Sequence, residues 1–126
     1  MTIETMTTRA MLGLLLGAAL VGGCATTQPP VDRMETSAAS IRGAEQAGAE
    51  DVPRAALYLQ LANEKSAKAK ALIASGGEDN MRAAAGLLMR ASADGELAIA
   101  LADDDKDRLA AEAAVQEIHT FELQTQ

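Results

Sequence analysis

The sequence has few of the residues with which proteins usually build a bulky core or a reactive site. It contains no tryptophan, one tyrosine (Tyr58) and one phenylalanine (Phe121), although aromatic side chains normally supply much of the buried bulk. A single cysteine excludes an intramolecular disulfide, and a single histidine excludes a histidine-rich metal site. Any core must therefore be thin, built from alanine, leucine, isoleucine and methionine on closely spaced helices.

Positive charge is also scarce. The chain has 11 basic and 18 acidic residues, which gives a net charge of −7. Nucleic-acid backbones are bound through lysine and arginine, so this balance argues against a nucleic-acid partner. It also provides no basic patch for anionic lipids. No motif indicates a cofactor.

One apolar run lies near the N-terminus, over residues 10–21. As a helix it would extend roughly 18 Å, whereas a bilayer core of about 30 Å needs about 20 apolar residues. The run is therefore too short for a comfortable transmembrane helix and is typical of a secretory signal peptide. Arg9 supplies the positive flank, and Met6 offers an alternative start.

The end of this run resembles a bacterial lipobox, with the residues Val21-Gly22-Gly23-Cys24. The resemblance implies a lipoprotein whose signal peptide, residues 1–23, is cleaved between Gly23 and Cys24. Cys24 would then carry lipid on its sulfur and on the new amino terminus. The alternative is a buried core cysteine in an ordinary hydrophobic helix.

Residues 24–30 would form a polar tether that ends in Pro29 and Pro30, because consecutive prolines favour an extended chain. Ala25 follows the cysteine, and in lipoproteins of Gram-negative bacteria an aspartate there retains the protein in the inner membrane. The resemblance thus implies an outer-membrane lipoprotein that faces the periplasm. An alanine-rich helical domain would occupy residues 31–126.

Apolar periodicity predicts three helices, over residues 31–47, 52–75 and 80–120. Gly48 is expected to end the first helix in a left-handed conformation, and Gly76-Gly77 to end the second. Asp51 is a good N-cap for the second helix, with Pro53 in its first turn. The short glycine connection predicts that helices 2 and 3 run antiparallel.

Small residues recur on helices 2 and 3 with a heptad-like spacing of four and three. In helix 2 these residues are Ala55, Leu59, Ala62, Ser66, Ala69 and Ile73; in helix 3 they are Ala84, Leu88, Ala91, Gly95, Ala98 and Ala102. In helix 1 the apolar stripe consists of Val31, Met34, Ala38, Ile41 and Ala44. The prediction is an all-α fold: an antiparallel helical hairpin plus a preceding helix, which together form a three-helix bundle with a long overhanging C-terminal helix.

The overhang begins with an acidic run, residues 103–107, which favours a bend or fraying because aspartate is a poor helix-interior residue. Beyond it an apolar stripe is predicted, consisting of Leu109, Ala113, Val115, Ile118 and Leu123. Helix 2 is too short to cover this stripe. Leu109, Ala113 and Ile118 are therefore the predicted partner-binding residues, for another protein or for a second copy in a coiled coil.

No arrangement of residues predicts catalysis or metal binding. Asp103, Asp105 and Asp107 match the first ligands of an EF-hand loop, but Arg108 replaces its glycine and Ala114 its bidentate glutamate. His119 has neither a nucleophile nor a second histidine near it in sequence. The prediction is a protein that is not an enzyme. An enzyme would need a pocket that groups His119 with carboxylates.

The mature chain resembles a family of short alanine-rich bacterial lipoproteins of unknown function. The resemblance lies in Ala44-x-x-Ala47-Gly48-Ala49, Pro53, Ala62, Ala69 and Ala91-x-Ala93-Asp94-x-Glu96-Leu97-Ala98; Gly95 replaces a usual alanine, and Glu78-Asp79-Asn80 replaces a segment that often holds an aromatic residue. Members are often encoded beside, or fused to, OmpA-like domains, which implies a structural or partner-docking role in the envelope. The alternative is a tetratricopeptide-like module that binds a peptide or small ligand in a helical groove.

Overall fold

The protein is all-α in the computed structural model, which describes residues 29–125 and contains no strand among them. Its three helices are α1 (Val31–Gln46), α2 (Pro53–Ser75) and α3 (Glu78–Gln124), with a short 3-10 turn at Ala49–Asp51. The predicted helical hairpin with a preceding helix is thereby confirmed. The predicted signal peptide, Cys24 and most of the predicted tether lie outside the described residues.

Glycine and proline set the helix boundaries. Gly48 follows α1 at φ 76°, and Gly76 and Gly77 connect α2 to α3 at φ 69° and 87°, conformations that favour glycine. The prediction of Asp51 as the N-cap of α2 was wrong, because Val52 holds that position without a side-chain cap. Pro53 is the first helical residue, and a proline drives its predecessor into extended backbone, here φ −107° and ψ 111°.

Contacts between the helices define the topology. Arg33 on α1 donates a hydrogen bond to the carbonyl of Ala85 on α3, and further along both helices Ser40 meets Ser92. The helices α1 and α3 are therefore parallel. The helix α2, which lies between them in the sequence, runs antiparallel to both. We call the end that holds residues 29–30 and the glycine turn the base. The last part of α3, residues 103–124, extends beyond the opposite end and is called the arm.

The predicted small-residue faces of α2 and α3 are both buried within the bundle. All six seam positions of α3 are buried, as are five of the six on α2, with Ile73 half-buried. The core separates into two apolar clusters. The one near the arm includes Ile41, Leu59 and Ala98, and the one near the base is built on Leu88 with its neighbours.

The buried face of α1 differs from the predicted stripe. It consists of Ser37, Ser40, Ile41 and Ala44, whereas Val31 is exposed. Serine can replace larger apolar residues here because its hydroxyl bonds within its own helix. Ser37 donates to the carbonyl of Met34 at 3.0 Å, and Ser40 to that of Thr36 at 3.2 Å. The small side chains allow α1 to approach α3 closely.

The helices α1 and α3 approach each other closely at Gly95. A β-carbon there would lie 2.9 Å from Cβ of Ser40, 3.0 Å from its carbonyl carbon and 3.1 Å from its carbonyl oxygen. Beside this contact the hydroxyls of Ser40 and Ser92 share a buried hydrogen bond of 2.9 Å. The backbone of α1 therefore occupies the space that an alanine at position 95 would need.

The helix α3 is continuous through the acidic run, so the bend or fraying expected at residues 103–107 does not occur. Ion pairs between successive turns, described below, compensate for the poor helix propensity of aspartate. With a rise of about 1.5 Å per residue, the 47 residues of α3 extend about 70 Å. The predicted end at residue 120 was therefore too early.

Two glycine substitutions on α3 test the close approach. Gly95→Ala should lower the free energy of unfolding by about 1–3 kcal/mol, the usual cost of overpacking, despite alanine's better helix propensity. Gly86→Ala is the matched control, because nothing lies within 4 Å of its β-carbon position; it should raise stability by up to about 1 kcal/mol. Urea unfolding followed by circular dichroism measures both. Equal stabilisation by the two changes would contradict the packing described here.

Candidate functional site in the arm of α3

The arm is a segment of α3 that is not covered by the other helices. Every residue from 106 to 125 is exposed, over a helical length of about 30 Å. Large apolar side chains in this segment are between 51% and 72% exposed: Leu109, Val115, Ile118, Phe121 and Leu123. A single helix in water is marginally stable, so this segment is the part of the described chain most in need of a partner.

The predicted partner-binding residues lie on two sides of the arm. Leu109 and Ala113 continue the line of the buried seam, since Leu109 follows Ala102 by seven residues. Ile118 is nine residues beyond Leu109, about two and a half turns, and therefore points in the opposite direction. The structure thus does not bring Leu109, Ala113 and Ile118 together on one face, and their role in binding stays a prediction.

The opposite side carries a second heptad-like line that sequence analysis missed. It runs along the back of α3 over residues 89–121, and we call it the outer face: Met89, Ala93, Leu97, Ala100, Asp104, Asp107, Ala111, Ala114, Ile118 and Phe121. All ten residues are exposed. Their spacing of three and four, starting from Met89, was the available signal. It is interrupted only by the two aspartates.

Ion pairs on the other sides of the arm hold the acidic run in helical form. Lys106 pairs with Asp103 at 3.1 Å, and Arg108 pairs with Asp105 at 2.6 Å and with Glu112 at 2.7 Å. The hydrogen bonds to Asp105 and Glu112 raise the pKa of the Arg108 guanidinium above its ordinary value. Both cations of the arm are thereby engaged by carboxylates of their own helix.

Asp104 and Asp107, by contrast, make no ion pair or side-chain hydrogen bond with any other residue of the described chain. Both lie on the outer face, away from the line of buried residues. The arm as a whole has an excess of carboxylates, with seven acidic residues against two basic ones, Lys106 and Arg108. The outer face therefore combines apolar side chains with unneutralised negative charge near its centre.

The other candidates considered from the sequence are also on the surface of the arm. His119 lies 3.7 Å from Glu122, and both side chains are largely exposed. Asp103 and Asp105 are engaged by Lys106 and Arg108 in a continuous helix rather than in a calcium-binding loop. No group of three potential metal ligands occurs within residues 29–125.

Two grooves run beside the bundle. One, with a volume of about 530 Å³, lies between α2 and α3 near the base and includes Lys68, Arg82 and Arg90; Arg82 is already paired with Glu78 and Asp79. The other, of about 390 Å³, lies between α1 and α3 and includes Arg33, Met89 and Glu96 among its lining residues. His119 lies instead in a shallow depression of about 220 Å³ on the arm, which is lined by Val115, Ile118, His119 and Glu122.

Comparisons with known proteins add no relative. The sequence matches no protein-family model, no curated protein and no solved structure. Within the described part of the chain, no helix is both long and apolar enough to cross a membrane. The lipobox and the likeness to alanine-rich lipoproteins therefore stay predictions.

Removing the paired guanidinium should loosen the arm. In Arg108→Gln, amides around residues 103–112 should exchange with solvent faster, because both carboxylate partners lose their cation. Arg90→Gln changes an exposed arginine within the bundle part of the same helix and should leave exchange in the arm unaltered. Hydrogen exchange read by mass spectrometry measures both variants. Unchanged exchange in Arg108→Gln would show that these pairs do not maintain the helix.

Proposed function

We propose that this protein is a lipid-anchored lipoprotein of the outer membrane in a Gram-negative bacterium, facing the periplasm, with a structural or partner-docking role and no catalysis. The lipid on Cys24 would attach it to the membrane, and the arm would engage another envelope component. An OmpA-like protein is the partner that the family resemblance favours, and self-association is the alternative.

The observation that carries this proposal is the position of the two chain ends. The helices α1 and α3 are parallel, so the chain enters the bundle at the base, while the arm leaves from the opposite end. A tether of residues 24–30 can extend at most about 25 Å. Lipid attached at Cys24 would keep the base near the membrane and direct the arm away from it.

The packing also favours a structural body over a tetratricopeptide-like module. The small-residue seams of α2 and α3 are both buried within the bundle, which supports a closed bundle. The arm, by contrast, offers a continuous exposed surface on an unbroken helix. A partner-docking role uses this exposed helix and requires no cleft.

Lipidation is tested at the cysteine itself. Cys24→Ser should abolish incorporation of labelled palmitate and shift the protein from the membrane to the soluble fraction, because several acyl chains are what make such anchoring stable. Ala25→Ser is the matched control: it introduces the same residue one position later and keeps the thiol. Membrane fractionation and the palmitate label provide the readouts. A Cys24→Ser protein that remained processed and lipidated would refute the proposed anchor.

The orientation can be measured on the lipidated protein in vesicles. Because Cys24 would be blocked by lipid, Ser75→Cys or Thr120→Cys supplies the only free thiol for a fluorescent donor; both positions are exposed. With acceptor dye on the lipid headgroups, energy transfer should be strong from position 75 at the base and weak from position 120 in the arm. Equal transfer from both positions would mean that the arm lies along the membrane.

A further inference from the structure

We infer that the outer face of α3 binds a basic amphipathic helix of another protein, whose lysine or arginine residues pair with Asp104 and Asp107. This inference rests on the proposed docking role and specifies its partner. Three features of the outer face carry it: its apolar side chains, its heptad-like spacing and its charge.

The apolar side chains are too exposed to be left over from the core. Met89, Leu97, Ile118 and Phe121 are between 40% and 67% exposed, and they lie along one side of α3 that borders the groove between α1 and α3 at Met89. Single exposed apolar residues are normal on a surface, but a line of them along one face marks an interaction site. Covering this line requires an extended partner.

The spacing selects a helix as that partner. Positions separated by three and four residues form the seam of a coiled coil, into which side chains of a second helix insert. Alanines at positions 93, 100, 111 and 114 leave space for larger side chains of the partner. A lipid surface is disfavoured, because Asp104 and Asp107 lie in the middle of the apolar line rather than on its polar side.

The charge disfavours a second copy in the two registers that align the whole outer face. In a parallel pair of arms, Asp104 and Asp107 would face their own equivalents. In the antiparallel pair that matches Ala93 with Ile118 and Leu97 with Ala114, Asp104 would face Asp107. Either arrangement places like charges together in an apolar interface, which costs free energy. Lys106 and Arg108 are already paired within the arm and supply no compensation.

A basic helix meets the same surface without this cost. Lysine or arginine at two neighbouring seam positions would neutralise Asp104 and Asp107, and apolar residues on either side would cover Leu97 and Ile118. Buried polar residues in a coiled-coil seam fix its register. The two aspartates would therefore determine which helix binds and in what alignment.

The probes for this inference are two synthetic amphipathic peptides of equal length with the same apolar seam. One has lysine, and the other glutamate, at the two positions that face Asp104 and Asp107. Binding to the lipidated full-length protein in nanodiscs is measured by fluorescence anisotropy. The lysine peptide should bind, and more weakly at high salt, whereas the glutamate peptide should not. Equal binding of both peptides would overturn the inference.

Matched substitutions on the two sides of the arm locate the surface. Ile118→Glu with Phe121→Glu should weaken binding of the lysine peptide at least about tenfold. Leu109→Glu with Leu123→Glu makes the same chemical change on the opposite side and should leave binding intact. Circular dichroism confirms that both variants keep their helix content. A loss of binding only in the Leu109 and Leu123 variant would place the site on the side of α3 opposite the outer face and would contradict the inference.

A charge reversal tests the two aspartates directly. Asp104→Lys with Asp107→Lys should exchange the preference, so that the glutamate peptide binds and the lysine peptide does not.

Sedimentation of the wild-type chain tests whether a second copy occupies the outer face instead. If the wild-type chain forms a dimer and Ile118→Glu with Phe121→Glu dissociates it, a second copy covers this face. A chain that binds the lysine peptide but is not lipidated would refute the anchor alone, and a lipidated chain that binds neither peptide would refute this inference alone.

Discussion

The whole fold depends on how closely the backbone of α1 can approach α3. At Gly95 the two helix backbones are so close that no β-carbon fits between them. Beside this contact, Ser40 and Ser92 share a hydrogen bond. Without aromatic bulk, this protein can exclude water from its interior only by bringing backbones together. Small residues where the helices meet most tightly are thus a condition for this core, and a few leucine and isoleucine side chains fill the remaining space.

This close packing also determines where the two chain ends lie. The approach at Gly95 aligns α1 with α3, and the tight glycine turn reverses α2, so that three helices share one short bundle. Only α3 is longer than this bundle, and its surplus length becomes the arm. Packing through small side chains therefore produces a bundle in which the start of α1 lies at one end and the exposed arm of α3 extends from the other.

Parts of this arrangement were predictable from the sequence. The seams of α2 and α3 could be predicted, because their mostly small residues keep a strict spacing of three and four over six positions. The buried face of α1 was not, because Ser37 and Ser40 are polar residues whose hydroxyls are satisfied within the helix itself. The bend at the acidic run was wrongly expected, since helix propensity takes no account of the pairs that Arg108 makes one turn away in each direction.

The candidate site was predicted only in part for a geometric reason. The exposed arm could be inferred from the lengths of the helices, but its apolar residues were read as one stripe with Leu109. About two and a half helical turns separate Leu109 from Ile118. The outer face therefore lies on the opposite side of α3 from the buried seam, and Leu109 is not part of it. Phe121 completes that face and was overlooked because only the seam side of α3 had been followed.

The continuity of α3 has a consequence for the lifetime of the protein. Its first half is held by two neighbouring helices and its second half by none, so the arm opens locally at far lower cost than the bundle. Proteases cut chains that are open, at a rate that follows the open population. If a partner covers the arm as proposed, a copy whose arm is uncovered would be cut before one whose arm is covered, and the amount of intact protein would follow the supply of that partner.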